Sequence, residues 1–414
     1  MTTSADSDSL SILITGGRSP AALELSRLFQ AAGHRVYAAE SIPYHLCRVS
    51  RSVERSFTVP APIGDPSGYV QSLRKIAEEH DIDVLIPVCE EIFYISRELD
   101  RFDGVCRVFA TPIDELERVH HKEKFIRFAE RMGLPVPATV LIEFPESWLP
   151  LLEDSRFGEG LVLKPAYSRF ASRTLFMDLS RGSLSAEQRQ HFVRKLENAK
   201  ASPTLPWVAQ ELLRGEEWCT YSVAHDGVIT AHAAYRSRFR AGRGASIHYE
   251  PAIQPQLFEW VRNFISRSSF TGQIAFDFMV SPEGAVMPME CNPRATSGVH
   301  LFGSSDGSLA EALLTPSGLI ANGRIATPSE IAGSGAMLTA AMLSFGLTQA
   351  VRQRMLREWQ RAYRSSRDVV FRREDPKPFA EQFRLLAWTR RVARRRGFSL
   401  QEASTSDIEW NGER

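Results

Sequence analysis

The chain has 414 residues, 43% of them hydrophobic and 24% charged, with a formal net charge of +1. That length predicts two or three cores rather than one, and the near-neutral charge excludes polyanion binding by bulk electrostatics. No apolar run approaches the roughly 20 residues that span a bilayer, and the polar, acidic start MTTSADSDSL lacks the basic-then-apolar layout of a secretory signal. Residues 1–9 read as a frayed tail. Cys47, Cys89, Cys106, Cys219 and Cys291 are scattered without a C-x-x-C pair. They argue against a disulfide framework or a zinc site and for reduced thiols in the cytoplasm.

SILIT (residues 11–15) is a short apolar run leading into Gly16 and Gly17, followed by a helical pattern in PAALELSRLFQAAG and a second strand in HRVYAAE. YVQSLRKIAEEHDID and VLIPVCEE repeat the helix-to-strand step, and VCRVFAT gives another strand. This order predicts a doubly wound, Rossmann-like α/β domain over residues 10–110. GGRSPAA is neither G-x-G-x-x-G nor a P-loop. The glycines therefore predict a tight turn, with backbone amides facing a small ligand or nothing, in preference to a nicotinamide site. Glu90 and Glu91 follow VLIPVC at the carboxyl end of a parallel strand, where such sheets place ligands. One of them could meet a substrate amine; equally, acids suit a helix N-terminus.

TPIDELERVHHKEKFIRFAERMGLPVPAT predicts two helices, the first opened by Thr111 and Pro112 and the second stopped at Gly133, Pro135 and Pro137. GEGLVLKPAYSRF is a strand carrying Lys164 at its apolar end. PWVAQELLRGEEWCTYSVAHDGVITAHAAYRSRF predicts a strand, a glycine turn and a hairpin through Asp226 and Gly227, and GQIAFDFMVSPEGAVMPMECNPR a second hairpin turning at Pro282–Gly284. The texture divides into 111–205, 206–330 and an arginine-rich helical region over 331–414. In that last region Phe379, Phe383 and Leu386 recur at helical spacing, widened by Leu385, Trp388 and Val392. So much apolar area predicts docking on the rest of the chain or on a dimer partner, in preference to nucleic acid.

The second hairpin carries the chemistry. Glu290 and Asn292 share a face because strand side chains alternate, and Asp277 joins them if the register allows. Three oxygen donors of this kind suit Mg²⁺, and Arg294 adds a permanently charged fork for a phosphoryl oxygen. A solvated hairpin face is the competing reading, weakened by the apolar neighbours Phe276, Phe278, Met287 and Met289.

The order of these features resembles the ATP-grasp superfamily, closest to its carbamoyl-phosphate-synthetase-like branch, over roughly residues 10–325. The resemblance implies that a helix lysine, Lys124 in HKEKF, and a strand lysine, Lys164 in LVLKP, serve the nucleotide. It implies an adenine-binding hinge at VAQELL (Gln210, Glu211 and Leu213) and a ribose-binding acid at Glu217, with Glu216 as the fallback. Asp277, Glu290 and Asn292 become the ligands of two Mg²⁺ ions, Mn²⁺ being admissible, and Arg294 steadies the transferred phosphoryl group. Lys164 is followed by PAYSRFASRT, which departs from the usual glycine-rich phosphate loop. Ser168, Arg169 and Ser172 are then side-chain candidates for phosphate contact.

The fold implied is an N-terminal doubly wound domain, then a two-part ATP-grasp unit with antiparallel sheets, then the helical C-terminal region. The function implied is an ADP-forming carboxylate–amine ligase acting through an acylphosphate on small molecules, with a homodimer allowed and no membrane role. Arg236, Arg238, Arg240 and Arg243 of AYRSRFRAGRGAS could clamp a substrate carboxylate or form a solvated loop. A bicarbonate-activating carboxylase shares the ATP chemistry; no stretch reads as a biotin-attachment segment. A nucleotide-binding regulatory module without turnover is the third reading, disfavoured by the intact metal set.

Overall fold

The computed structural model describes residues 9–167, 174–180, 182–242, 244–303, 307–328 and 335–412. Ser168, Arg169, Ser172 and Arg243, and all but the last residue of the 1–9 tail, lie outside them.

The N-terminal sheet is parallel throughout, in the order Arg55–Thr58, Arg35–Glu40, Ser11–Thr15, Val84–Ile86, Arg107–Val108. Ile12 and Ile14 pack on one face with Leu23, Leu25 and Phe29, while Leu13 and Leu85 pack on the other with Val70 and Leu73. Burial on both faces is what a continuous apolar strand such as SILIT requires. The first strand turns at Gly16, whose φ of +67° favours glycine and where a Cβ would lie 2.9 Å from Glu91 Oε1. Ser19 Oγ then accepts from the Ala22 amide at 3.0 Å, capping the helix Pro20–Ala31. The edge strand Arg55–Thr58 was not evident in the sequence, because its residues are only half-buried.

A four-stranded antiparallel sheet follows, in the order Thr139–Ile142, Trp207–Glu211, Gly160–Pro165, Leu175–Asp178. It has its own small core of Trp148, Phe157, Leu161 and Leu163. The larger sheet has seven strands: Val286–Asn292, Gly272–Val280, Glu216–His225, Val228–Arg236, His248–Pro251, Ala336–Met337 and Arg367–Asp368. Both expected hairpins are present, turning at Asp226–Gly227 (φ 47° and 81°) and at Gly284 (φ 89°). The helix Pro255–Ser268 covers one face of this sheet, where the Trp260 ring meets those of Phe276 and Phe278 at 5.4 and 5.2 Å. Since neighbours on a strand alternate, Asp277 between them turns to the opposite face.

The C-terminal region is not purely helical. Its two short strands extend the large sheet, and LTQAVRQRMLREWQRAYRSS breaks at Arg354 (φ +58°) into Leu347–Arg352 and Leu356–Ser365. The long helix Lys377–Arg396 buries Pro378, Glu381, Thr389 and Ala393, with Phe379 and Leu385 against the core. Phe383 and Leu386 stay exposed, so the buried stripe lies around the helix from the one their spacing predicts. Ion pairs fasten this region to the N-terminal domain. Arg27 meets Asp375 at 2.9 Å and Arg18 meets Asp407 at 2.6 Å. Trp410 stacks on Phe93 at 5.7 Å.

Candidate nucleotide and metal site

The hairpin Gly272–Val280 and Val286–Asn292 pairs Asp277 directly with Glu290, and Ala275 with Asn292. The three oxygen-bearing side chains therefore share one face, which lines a cavity of about 580 Å³ between the four-stranded and seven-stranded sheets. Burial and the Glu290 charge push the Asp277 carboxyl well above the usual carboxylate range. Burial works in the same direction on Glu290, but Lys122 and Lys164 outweigh it and hold that carboxyl low. Glu290 keeps 30% of its side chain exposed, toward the cavity. Arg294 donates to Asn292 Oδ1 at 3.1 Å and to the Ala295 carbonyl at 3.2 Å, which fixes the guanidinium at the end of the strand.

Lys164 joins the two sheets. Its Nζ donates to Gln210 Oε1 and to the Met289 carbonyl, both at 3.0 Å, and Gln210 donates onward to Thr139 Oγ1 at 3.1 Å. Burial lowers its pKa to about 8, against the opposing pull of Glu290 and Asp277. Glu211 is held by the Ala138 amide at 2.9 Å, and Leu212 and Leu213 continue the wall. At the far side Glu217 forms an ion pair with Arg240. Glu216, which is not in the lining, accepts from Trp218 Nε1 and pairs with Arg236.

Lys164, Gln210, Glu211, Leu213, Glu217, Asp277, Glu290, Asn292 and Arg294 thus line one cleft, whereas the other candidates lie elsewhere. Lys124 sits in a separate hollow among Asp114, Glu117 and Arg127. The lysine that enters the cleft from the same helix, Lys122–Arg131, is Lys122, 2% exposed and 3.5 Å from Glu290 Oε2. A helix repeat explains the difference: Lys122 shares its face with the buried Phe125, Ile126 and Ala129, and Lys124 does not. The Lys122 amide also donates to the Ala166 carbonyl at 3.1 Å, anchoring the helix start beside the Lys164 strand.

Glu90 and Glu91 are interior and outside the cleft lining. Glu91 accepts from Thr15 Oγ1 at 2.7 Å and from the Val88 and Cys89 amides at 3.1 and 2.9 Å, while Glu90 accepts from the Trp410 amide at 3.1 Å. Both carboxylates hold the fold together at the start of the helix Glu91–Ser96, in line with the helix-terminus reading and not the substrate one. Arg236 lies over the Trp218 ring and pairs with Glu216, and Arg238 pairs with Glu250 at 3.0 Å; neither arginine is in the cavity lining. Of the described arginines in that segment, Arg240 is the one in the cleft. Arg18, His300, Thr389 and Thr405 also line it, brought together from segments too distant in sequence for any local pattern to join them.

No family model matches the chain. It is 23% identical over 212 residues to the C-terminal section of the carbamoyl phosphate synthase large chain of Methanopyrus kandleri. That match spans 49% of this chain and 37% of the relative, so the chain matches little more than a third of that protein's length. Among solved structures it is similar to N5-carboxyaminoimidazole synthetase of Staphylococcus aureus, with a TM-score of 0.56 at 13% identity over 73% of this chain and 77% of that one. The L-amino acid ligase of Bacillus licheniformis aligns with a TM-score of 0.53 at 14% identity over 74% of each chain. Biotin carboxylase of Campylobacter jejuni, solved with a nucleotide, aligns with a TM-score of 0.57 at 13% identity over 74% and 70%. The fold of this chain is accordingly that of the ATP-grasp superfamily, with its sequence match in the carbamoyl-phosphate-synthetase branch.

Proposed function

We propose that the chain is an ATP-dependent, ADP-forming ligase that activates a small carboxylate as an acylphosphate and joins it to an amine. The observation that carries this is the convergence of Asp277, Glu290 and Asn292 with Lys122, Lys164 and Arg294 on one cavity. The donor set fits Mg²⁺: three oxygens, two of them carboxylates, one with its pKa raised by burial and by the charge of the other, a strain that a divalent cation relieves. Asp277, Glu290 and Asn292 would hold two such ions, or Mn²⁺ in their place. Bound metal supplies neutralisation of phosphate charge.

The remaining work falls to the chain itself. Gln210, Glu211 and Leu213 form the adenine wall, and Glu217 accepts the ribose hydroxyls once Arg240 yields. Lys164 and Lys122 offset charge on the phosphates, and Arg294 orients the phosphoryl oxygens. The substrate carboxylate then attacks the γ-phosphorus, ADP leaves, and an amine displaces phosphate from the acylphosphate.

Pro20, Leu385 and Ile408 add apolar surface to the cavity lining, which favours organic substrates over bicarbonate. The test is ADP release with each common amino acid alone and in pairs, at saturating ATP and Mg²⁺. Release with one acid alone, trapped as a hydroxamate by hydroxylamine and raised by a specific amine, is the expected result. ADP release that requires bicarbonate would favour the carboxylase reading, and no release with any acid or bicarbonate the regulatory one.

A further inference from the structure

A buried histidine–carboxylate pair reaches the same cavity through its histidine. Glu24, on the first helix of the N-terminal domain, has no exposed side-chain surface and is gripped by Arg372 at 2.5 Å and Arg367 at 3.2 Å. Its second oxygen, Oε2, faces His300 Nδ1 at 3.5 Å. His300 lies on the short 3₁₀ turn Ser297–Leu301, eight residues beyond Asn292, and lines the cavity.

The ring is held on every side. It stacks on Tyr249 with centroids 5.8 Å apart and planes 24° from parallel, and its own carbonyl accepts from Arg367. Gly298 lets the turn descend onto the sheet, since a Cβ there would lie 2.3 Å from Tyr221 Cβ. The charged groups around the ring are Glu24, Arg367 and Arg372, and burial outweighs the carboxylate so that the imidazole is held neutral.

We propose that His300 is the general base of the second half-reaction, taking the proton of the attacking amine on Nε2 while Glu24 fixes the ring through Nδ1. This rests on the ligase reading above. In that step the amine nitrogen bonds to the acyl carbon, the carbon–oxygen bond to phosphate breaks, phosphate leaves with the electron pair, and the nitrogen's proton passes to Nε2. A neutral imidazole with its proton on Nδ1 presents a free lone pair at Nε2, as this step needs. The orienting carboxylate serves as one does in hydrolytic triads. Glu24 is a positioning residue; the two arginines keep it ionised in the interior and leave Oε2 for the ring.

The experiment compares two nucleophiles on one acylphosphate. Both nucleophiles lose one N–H proton on acylation, but weakly basic hydroxylamine is largely unprotonated at neutral pH and sheds that proton to water, whereas the more basic alkyl amine needs a base beside it. With ATP, Mg²⁺ and the acid that supports ADP release, His300→Gln should form hydroxamate within about twofold of wild type. Amide formation should fall by about 100-fold or more. Equal loss of both products, or amide formation at the wild-type rate, overturns the assignment. Wild-type protein that forms neither hydroxamate nor amide with any acid removes the ligase reading instead, and the proposal with it.

A second measurement does not depend on turnover or on the stability of His300→Gln. Nitrogen-15 NMR of histidine-labelled full-length protein should show one neutral ring protonated on Nδ1 at pH 7. Mild substitutions at Tyr249 or Glu24 should perturb that signal. A ring protonated on Nε2 has no lone pair for the amine's proton and overturns the proposal.

Discussion

Lys122 and Glu290 meet 3.5 Å apart on the floor of the cleft, the lysine on a helix and the glutamate on a strand more than 160 residues later. The lysine is 2% exposed, and its charge helps to keep the glutamate ionised beside Asp277. Replacing Lys122 with alanine should therefore lower ADP release by roughly 100-fold, the usual cost of a buried charge stabiliser. Lys124→Ala, two residues away but outside the cleft, should leave the rate within about twofold. A steady-state assay of the two variants side by side decides which lysine serves the nucleotide. Equal losses would return Lys124 to the site.

The facing carboxylates give a second, sharper expectation. Glu290→Ala should abolish ADP release while the protein stays folded, because the metal set loses the carboxylate that two lysines hold ionised. Asp277→Asn should be severely impaired, yet its stability should rise slightly without Mg²⁺, since a like-charge neighbour has been neutralised. Thermal melts with and without Mg²⁺ check this. Wild-type protein should gain stability from the ion, and both variants should lose most of that gain. An unchanged Mg²⁺ response in Glu290→Ala would remove these residues as ligands.

Much of this site was legible because alternation along a strand is a short-range rule. Glu290 and Asn292 had to share a face, and the apolar flanks Phe276 and Phe278 had to turn Asp277 away from the core. Register is a longer-range property, and Asp277 facing Glu290 was a condition that the structure meets. The misplaced helix lysine had a readable signal, since positions 122, 125, 126 and 129 form one buried stripe that excludes 124. Glu90 and Glu91 fail for another reason. The rule that ligands gather at the carboxyl ends of parallel strands says nothing about side chains that fold back onto the turn's own amides, as Glu91 does. Arg18 with Asp407, and Glu24 with His300, join segments hundreds of residues apart, where no periodicity reaches.

Glu217 and Glu216 are adjacent and differ by a strand face. Glu217 lines the cavity and pairs with Arg240, whereas Glu216 is turned to Trp218 and Arg236. Glu217→Ala should raise the KM for ATP by about tenfold, close to 1.4 kcal/mol, with little effect on kcat. Glu216→Ala should change neither constant. A larger effect from Glu216 would mean that the ribose lies on the opposite face of the sheet.

Histidines buried in neutral form make the protein acid-sensitive above the usual carboxylate range. Burial lowers His232 from 6.5 to about 4, and its Nδ1 lies 2.9 Å from Ser222 Oγ. A group whose folded pKa is depressed binds protons more readily in the unfolded chain. Its contribution is therefore complete above pH 6.5 and is lost as the pH falls toward 4, about 3 kcal/mol in all. Denaturant melts between pH 7 and 4 should show this decline, and His232→Gln should flatten it. An identical acid limb in the variant would place the sensitivity elsewhere.

The tail that closes the molecule makes the last expectation. Arg18 joins the Glu40 carboxylate of its own domain to Asp407, and the Tyr94 hydroxyl donates to the Glu409 carbonyl at 2.8 Å. Trp410 is 3% exposed, stacked on Phe93 and edge-on to Tyr94. On the other side Gln401 donates to the Ala241 carbonyl, next to the arginine that pairs with Glu217. Residues 399–410 therefore bind the N-terminal domain to the Arg240–Ala241 strand, while Thr405 and Ile408 line the cleft itself. Trp410→Ala should cost about 3–5 kcal/mol by emptying a buried ring site. Asp407→Ala should cost about 3 kcal/mol by leaving Arg18 partly unpaired in the interior. Truncation after Phe398 should do more than destabilise. With one wall of the cavity gone, KM for the acid should rise more than KM for ATP. A truncated protein with an unchanged melt and unchanged KM for the acid would show that the tail is an ornament of the fold and no part of the substrate site.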